Sequence, residues 1–583
     1  MVRRKVGENP RCRQIEVLYS CSMNARSAFI SIQFTVLFSI AVLQGFAQTA
    51  PGKYWVQFTD KNNSPYSLSR PKEFLSWKCI ERRDRLSLGF DALDLPVNQQ
   101  YIDAVLATGP CTLHRKSKWF NAITINTEDS ITVEEIRALP FVAQVRSTQV
   151  ETTGARPDKF LFEQQRSALD NSDIACDSFP EYGVGWRQIE MVNGHWLHTL
   201  GYRGEGVDIA QFDAGWSKAD QLPALSRLRD EGRIKMVKDF VFNNDATIYG
   251  LNSHGTYVLS IMASWLPGQL IGTAPEANYY LFRTEDPFSE FPVEEDNWVA
   301  AAELCDSLGI DVINSSLGYS EFDDPSLNHT YADMDGNTAH SSIAADIAAR
   351  KGIIIANSAG NSGNSPWHYI TAPSDADDIL CVGAVDANEE HASFSGYGPS
   401  SDGQVKPTVS AMGLATAYAA LDSTISTGNG TSFSSPVIAG VTACLFQAYP
   451  NLSSSFIIDA IKRSASLYIS PNDMLGYGIP DYFKAWQLLQ SQSAAVGDFS
   501  ANAFPNPCSN HMRVTLHDAK SCTVQYDIYD AIGRRCHAGS GVAIVDGHGF
   551  FALDDVVQHL PGGHYTVHIH WELRNAIIPF QKI

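Results

Sequence analysis

A chain of 583 residues exceeds what a single hydrophobic core organises, so roughly three or four domains are expected. With 44% hydrophobic and 18% charged residues it is not a disordered chain, and a formal net charge of −21 excludes a general nucleic-acid binder while favouring solubility outside a cell. Its eleven cysteines fall outside CxxC pairs, which excludes the common zinc and redox motifs, and their odd number leaves at least one thiol unpaired if all are retained.

The chain begins with a polar, Arg-rich stretch, and Met23 is an alternative start. Residues 29–43 form an apolar run preceded by Arg26 and followed by Gly45-Phe46-Ala47, the pattern of a secretory signal, with cleavage expected after Ala47. At about 15 residues the run is short for a membrane span, an uncleaved anchor being the alternative. From Lys53 to about Arg146 a small domain is predicted: a strand over 53–58, a helix over 96–108 stopped by Gly109, and a strand over 121–127. A short helix opened by the box Thr132-Val133-Glu134-Glu135 and stopped by Pro140 follows, then a strand over 141–146. Residues 147–180 have few long apolar runs and read as a linker that is cut.

Next, residues 204–215 read as a buried strand ending in Asp213-Ala214-Gly215, which would put a carboxylate at the carboxyl edge of a parallel sheet. An Asp at a strand end is ordinarily a cap or turn former. Asn252-Ser253-His254-Gly255-Thr256 precedes an apolar helical pattern, and a histidine beside glycine is ordinarily structural or solvated. Residues 311–318 run as a strand into Ser316-Leu317-Gly318, and residues 352–361 as a strand into Ala359-Gly360-Asn361, where Asn tolerates unusual backbone angles. Finally Gly428-Asn429-Gly430-Thr431-Ser432-Phe433-Ser434-Ser435-Pro436 delivers Ser432 to the start of a helix apolar nearly all round, whose N-terminus aims N–H groups at charge developing beside it. Taken alone, Gly-Thr-Ser is a helix cap, and Pro436 is expected among the N–H groups that lack an intrahelical acceptor.

Together these segments resemble the subtilisin-like (S8) serine peptidases. GTSFSSP is similar to the GTSxAxP nucleophile box, His254-Gly255-Thr256 to the H-G-T box, and Asp213-Ala214-Gly215 to the D-[ST]-G box with Ala214 as a departure. They also fall in the chain order Asp, His, Ser known for subtilisin. The resemblance implies an α/β catalytic domain over 181–490, a parallel sheet with helices on both faces. It implies Asp213, His254 and Ser432 as catalytic residues and Asn361 as the oxyanion-hole donor. Ser316, Leu317, Gly318, Ala359 and Gly360 would bind substrate backbone and wall its side-chain pocket. No catalytic metal and no cofactor is implied, and a structural calcium ion is left open. Residues 48–180 would be a prodomain and linker with a ferredoxin-like α+β fold, acting as inhibitor of a zymogen whose substrates are proteins or peptides. The stretch from Tyr319 to about Asn337 reads as a surface insertion near the cleft. A silent binding protein keeping the fold and a maturation factor cutting one partner are the alternatives; the presence of all three boxes speaks against the first.

After a polar, alanine-rich linker over 491–503, residues 504–583 alternate as a small all-β sandwich. Phe504-Pro505-Asn506-Pro507, Tyr529-Asp530-Ala531-Ile532-Gly533-Arg534 and Leu560-Pro561-Gly562-Gly563 resemble the C-terminal sorting domain of Bacteroidetes type IX secretion cargo. That implies the type IX machinery as a partner and a monomer, secreted or held at the outer-membrane surface by way of the periplasm, with 1–47 as signal peptide. His564, His568 and His570 share a strand face, but no acidic or cysteine partner at fixed spacing makes them a metal site.

Overall fold

The computed structural model describes residues 52–150, 157–160, 180–496 and, with short interruptions, 501–583. The apolar run at 29–43 lies outside them. The N-terminal domain is β1 (Lys53–Phe58), α1 (Trp77–Arg85), α2 (Gln99–Leu106), β2 (Thr112–Ser117), β3 (Ala122–Asn126), α3 (Ser130–Arg137) and β4 (Val142–Gln149). Its strands form an antiparallel sheet in the order β2-β3-β1-β4, the ferredoxin-like α+β arrangement expected. Strand alternation sends Tyr54, Val56, Ile123 and Ile125 against Ile102, Val105, Val133 and Ile136 of α2 and α3. The opposite face carries Thr124, Arg115 and Ser117.

Two readings of this domain are corrected. The helix assigned to the box at Thr132 starts earlier: Asp129 is the cap, accepting from the N–H groups of Ile131 and Thr132, and Thr132 Oγ1 donates to the same carboxylate. The sequence reading also passed over α1 and β2, both so rich in charge that no apolar period betrays them.

The second domain is built on β5 (Asp208–Asp213), β6 (Ile234–Asp239), α4 (His254–Ala263), β7 (Asn278–Arg283), α5 (Val293–Leu308), β8 (Val312–Ser315), α6 (His340–Arg350), β9 (Ile354–Ser358), β10 (Leu380–Val385) and β11 (Val409–Met412). A hairpin, β12 (Thr416–Ala419) and β13 (Ile425–Gly428), leads into α7 (Thr431–Ala448). The seven long strands pair in parallel in the order β11-β10-β9-β8-β5-β7-β6. Because successive side chains alternate, Ile209, Val312 and Ile354 pack with α4 and α7 on one face. Ala210, Ile313 and Ile355 pack with α5 and α6 on the other. This is the α/β sheet with helices on both faces that the sequence implied.

Beyond it, α8 (Tyr482–Val496) runs through residues 491–496, and β14 (Ala501–Phe504) begins at 501, so helix and strand occupy most of the stretch read as linker. The C-terminal residues form antiparallel sheets of three and four strands around a core that includes Val514, Ile528, Val567 and Phe580. The expected surface insertion after Gly318 is anchored inward at both ends: Tyr319, Phe322 and Met334 are buried.

Candidate active site

The sheet's carboxyl edge brings together three of the predicted residues from three elements. Asp213 ends β5, His254 opens α4, and Ser432 is the second residue of α7. Asp213 and His254 are fully buried and Ser432 nearly so. His254 Nδ1 lies 2.8 Å from Asp213 Oδ1, the carboxylate also accepting from Ala214 N at 2.7 Å and Gln211 Nε2 at 3.2 Å. Trp216 Nε1 donates to Gln211 Oε1, fixing which end of that amide faces Asp213. Burial raises the pKa of Asp213 above the ordinary carboxylate value, while the imidazole and the two other donors, Ala214 N and Gln211 Nε2, pull it back. His254 N donates to Asn252 Oδ1 at 2.8 Å, fastening the helix start. Gly255 is required here: a Cβ would lie 2.5 Å from Gly215 O and 3.0 Å from Asp213 Cβ, so any side chain would push the imidazole off the carboxylate.

Ser432 is fixed by its surroundings. Its Oγ donates to Ser316 O at 3.2 Å, and its carbonyl accepts from Ser316 Oγ at 3.0 Å. The second bond corrects the expectation for Pro436, which lies past the first turn of α7. Proline has no N–H for the carbonyl four residues earlier, and that carbonyl is Ser432 O. The Ser316 hydroxyl supplies the missing donor and ties the end of β8 to Ser432.

Asn361 sits across from this turn, its Oδ1 accepting from Thr431 N at 2.8 Å and Thr431 Oγ1 at 2.9 Å. With the oxygen so engaged, the amide nitrogen is the end presented to the cleft. Ser316, Leu317, Gly318, Gly360, Asn361 and Ser432 line one cavity. Ala359 does not: its side chain packs behind the cleft with Ile370 and Cys381, because alternation along the strand turns it into the core.

The cavity holds a segment of the chain itself. Lys159 N donates to Pro287 O at 3.0 Å, Asn252 Nδ2 to Asp158 Oδ2 at 2.8 Å, and the Phe160 ring stacks on His254 with centroids 4.2 Å apart. Lys159 Nζ reaches Glu290 at 2.7 Å, Glu285 at 2.9 Å and Glu294 at 3.1 Å. Sequence reasoning missed this group. Glu294 sits in an acidic first turn, which reads as ordinary helix N-terminal charge, and only its distant partner sets it apart. The three carboxylates lie close enough to hold a cation, and the ammonium of Lys159 sits among them.

A buried serine, histidine and aspartate at the edge of a parallel α/β sheet, with a small α+β domain lending its end to the cleft, define a class of hydrolase. Residues 204–478 match the subtilase family of peptidase S8, and residues 53–160 match the peptidase S8 propeptide domain of Bacteroidota. The chain therefore carries a subtilase domain behind its propeptide and is a serine endopeptidase made as a zymogen. Among relatives, subtilisin DY of Bacillus licheniformis is 29% identical over 280 residues, 48% of this chain and 90% of that protein. Subtilisin E of Bacillus subtilis is 27% identical over 294 residues, 50% of this chain and 68% of that one. The membrane-bound transcription factor site-1 protease of Rattus norvegicus is 26% identical over 306 residues, 51% of this chain but 26% of its own length.

Proposed function

We propose that Ser432 is the nucleophile, His254 its general base and then acid, and Asp213 the group that fixes the imidazole tautomer and stabilises the imidazolium. The observation that carries this reading is the buried Asp213–His254 contact beside Ser432, with Phe160 of the propeptide lying on the imidazole. A peptide enters extended along Ser316–Gly318, adding a strand to an exposed edge. Ser432 Oγ attacks the carbonyl carbon and its proton passes to His254. The negative oxygen of the tetrahedral intermediate takes hydrogen bonds from Asn361 Nδ2 and Ser432 N. His254 then protonates the leaving amine, the acyl-enzyme forms, and water reverses the sequence to release the acid. Leu317, Gly318 and Gly360 wall the pocket beside the reacting carbonyl. In the zymogen the propeptide's last residues occupy the same cleft, so the domain over 53–160 acts as the enzyme's own inhibitor.

The enzyme in this reading is exported and acts outside the cell as a monomer, secreted or at the outer-membrane surface, with the type IX machinery as its carrier. The support is the apolar run at 29–43 and the turn motifs spaced through 504–583, a region of antiparallel sheets. Among the described residues no helix is long and apolar enough to cross a membrane.

The direct test is Ser432→Ala, which deletes one hydroxyl and should leave the melting temperature near that of the parent. Peptide hydrolysis should fall by about 10⁶ in kcat, the size of loss measured for the nucleophile of subtilisin itself. An alanine variant keeping a few per cent of turnover would overturn the assignment.

A further inference from the structure

Glu285, Glu290 and Glu294 surround one ammonium, and that ammonium belongs to the propeptide segment in the cleft, not to the domain that supplies the carboxylates. Two of the three are fixed before any ligand arrives. Glu285 accepts from Tyr319 Oη and from Thr284 Oγ1 at 3.3 Å. Glu294 accepts from Asp286 N at 2.7 Å and Phe291 N at 3.3 Å. All three are well covered, with side-chain exposures of 1%, 15% and 2% for Glu285, Glu290 and Glu294. Ionised carboxylates gathered away from water are costly unless a cation joins them, so an emptied pocket would draw a positive charge back in.

The same pocket opens on the cleft that holds Ser316, Asn361 and Ser432. The segment at its edge turns at Lys159 and Phe160, with Lys159 N bonded to Pro287 O, Phe160 N to Asp158 Oδ1 at 2.9 Å, and the Phe160 ring stacked on His254. Lys159 precedes the residue that lies on His254, so the basic side chain falls on the upstream side of that contact. We propose that Glu285, Glu290 and Glu294 form a specificity pocket for a Lys or Arg side chain preceding the scissile bond, and that Lys159 holds that place in the zymogen. The substrate class is thus peptides bearing a basic residue within a few positions upstream of the cleavage site. This rests on the reading of Ser432 and His254 as the reacting pair.

The test is profiling of the active enzyme with fluorogenic peptides of one parent sequence, carrying Lys, Arg, norleucine, Gln or Glu at each of the positions before the cleaved bond. At one position Lys or Arg should exceed norleucine by about 10²-fold in kcat/KM, since a site built around buried polar partners rejects a ligand that leaves them unpaired. Glu290→Gln should shrink that ratio at least about tenfold, and Glu290→Lys should favour the Glu peptide there. An enzyme that hydrolyses peptides yet treats Lys and norleucine alike at every position overturns the pocket and leaves Ser432 standing. An active Ser432→Ala variant would instead remove the reading beneath it. Equal losses for both peptides in Glu290→Gln would make the residue structural and also sink the proposal. So would calcium alone binding the active enzyme, blocking the Lys peptide and losing its site in Glu290→Gln, because the carboxylates would then be a metal site.

Discussion

Asn361 shows how much a single side chain is asked to do. Its oxygen receives two hydrogen bonds from Thr431, which both start α7 and turn the amide so that N–H faces the cleft. A donor held this way needs no reorganisation as charge develops on a substrate oxygen, and it binds charge absent from the ground state. Asn361→Ala is therefore expected to lower kcat by about 10²- to 10³-fold with little change in KM, as for the oxyanion donor of subtilisin. Steady-state kinetics decide it, and a loss mainly in KM would make Asn361 a substrate-positioning residue. The residues proposed to react stand out in the sequence because each lies in a short contiguous run whose glycines and small residues the local geometry demands, as at Gly255. The bond that repairs α7 at Pro436 does not, since its donor, Ser316, is 116 residues away and looks like any strand serine. Lys159 and its carboxylates stayed hidden for the same reason, their separation in sequence exceeding any motif.

At the scale of elements, α1 was invisible because the rule that apolar spacing marks a helix fails when the buried side is charged. Ser76 caps it, accepting from Cys79 N. Arg82 and Arg83 each place Nη2 2.8 Å from Asp306 Oδ1 on α5, and Lys118 Nζ lies 3.2 Å from Oδ2. Arg83 also meets Asp94 at 3.1 Å, as Lys351 does at 2.7 Å. The helix can come this close because α5 ends at Gly309, with φ of +82°, where a Cβ would fall 2.6 Å from Cys79 N. Burial alone would raise the Asp306 pKa, but Lys118, Arg82, Arg83 and Lys351 hold it well below the usual carboxylate range. Such a junction says less about net stability than about fit, since replacing it by apolar residues is often neutral, whereas removing one partner strands the rest. Asp306→Asn in the full chain should thus cost about 3–5 kcal/mol of the grip between the two domains. Hydrogen exchange would report it as faster exchange through α1 and the sheet of β1 to β4, with the parallel sheet still protected. Unchanged protection of α1 would mean that the other contacts carry the interface without this one.

Across the whole molecule, the N-terminal sheet lies with its polar face on α5 and α6 while the segment at 157–160 reaches the cleft, so release must undo both contacts. Thr124 donates to Asp296, Ser117 to Glu303, and Trp55 packs on His340 with centroids 4.6 Å apart. Within this face His114 Nε2 lies 3.1 Å from Asn297 Oδ1 of α5. Burial first, then the charges of Arg115 and Lys53 beside it, push the His114 pKa down to about 2 from an ordinary value of 6.5. The docked domain therefore holds this ring neutral, while the released domain takes up a proton below about pH 6.5. The contribution to docking is fully present above that pH and declines as pH falls from 6.5 toward 2. A single such site weakens docking about tenfold for each pH unit well inside the window, since one pKa unit is worth about 1.4 kcal/mol. Activation of the full chain should accordingly be faster after incubation at pH 5.5 than at pH 7.5, with activity always assayed at one fixed pH so that His254 chemistry does not enter. His114→Gln should remove about one proton from the pH dependence of that rate. A profile that is flat, or one whose slope is the same in His114→Gln, would show that this histidine plays no part in releasing the domain.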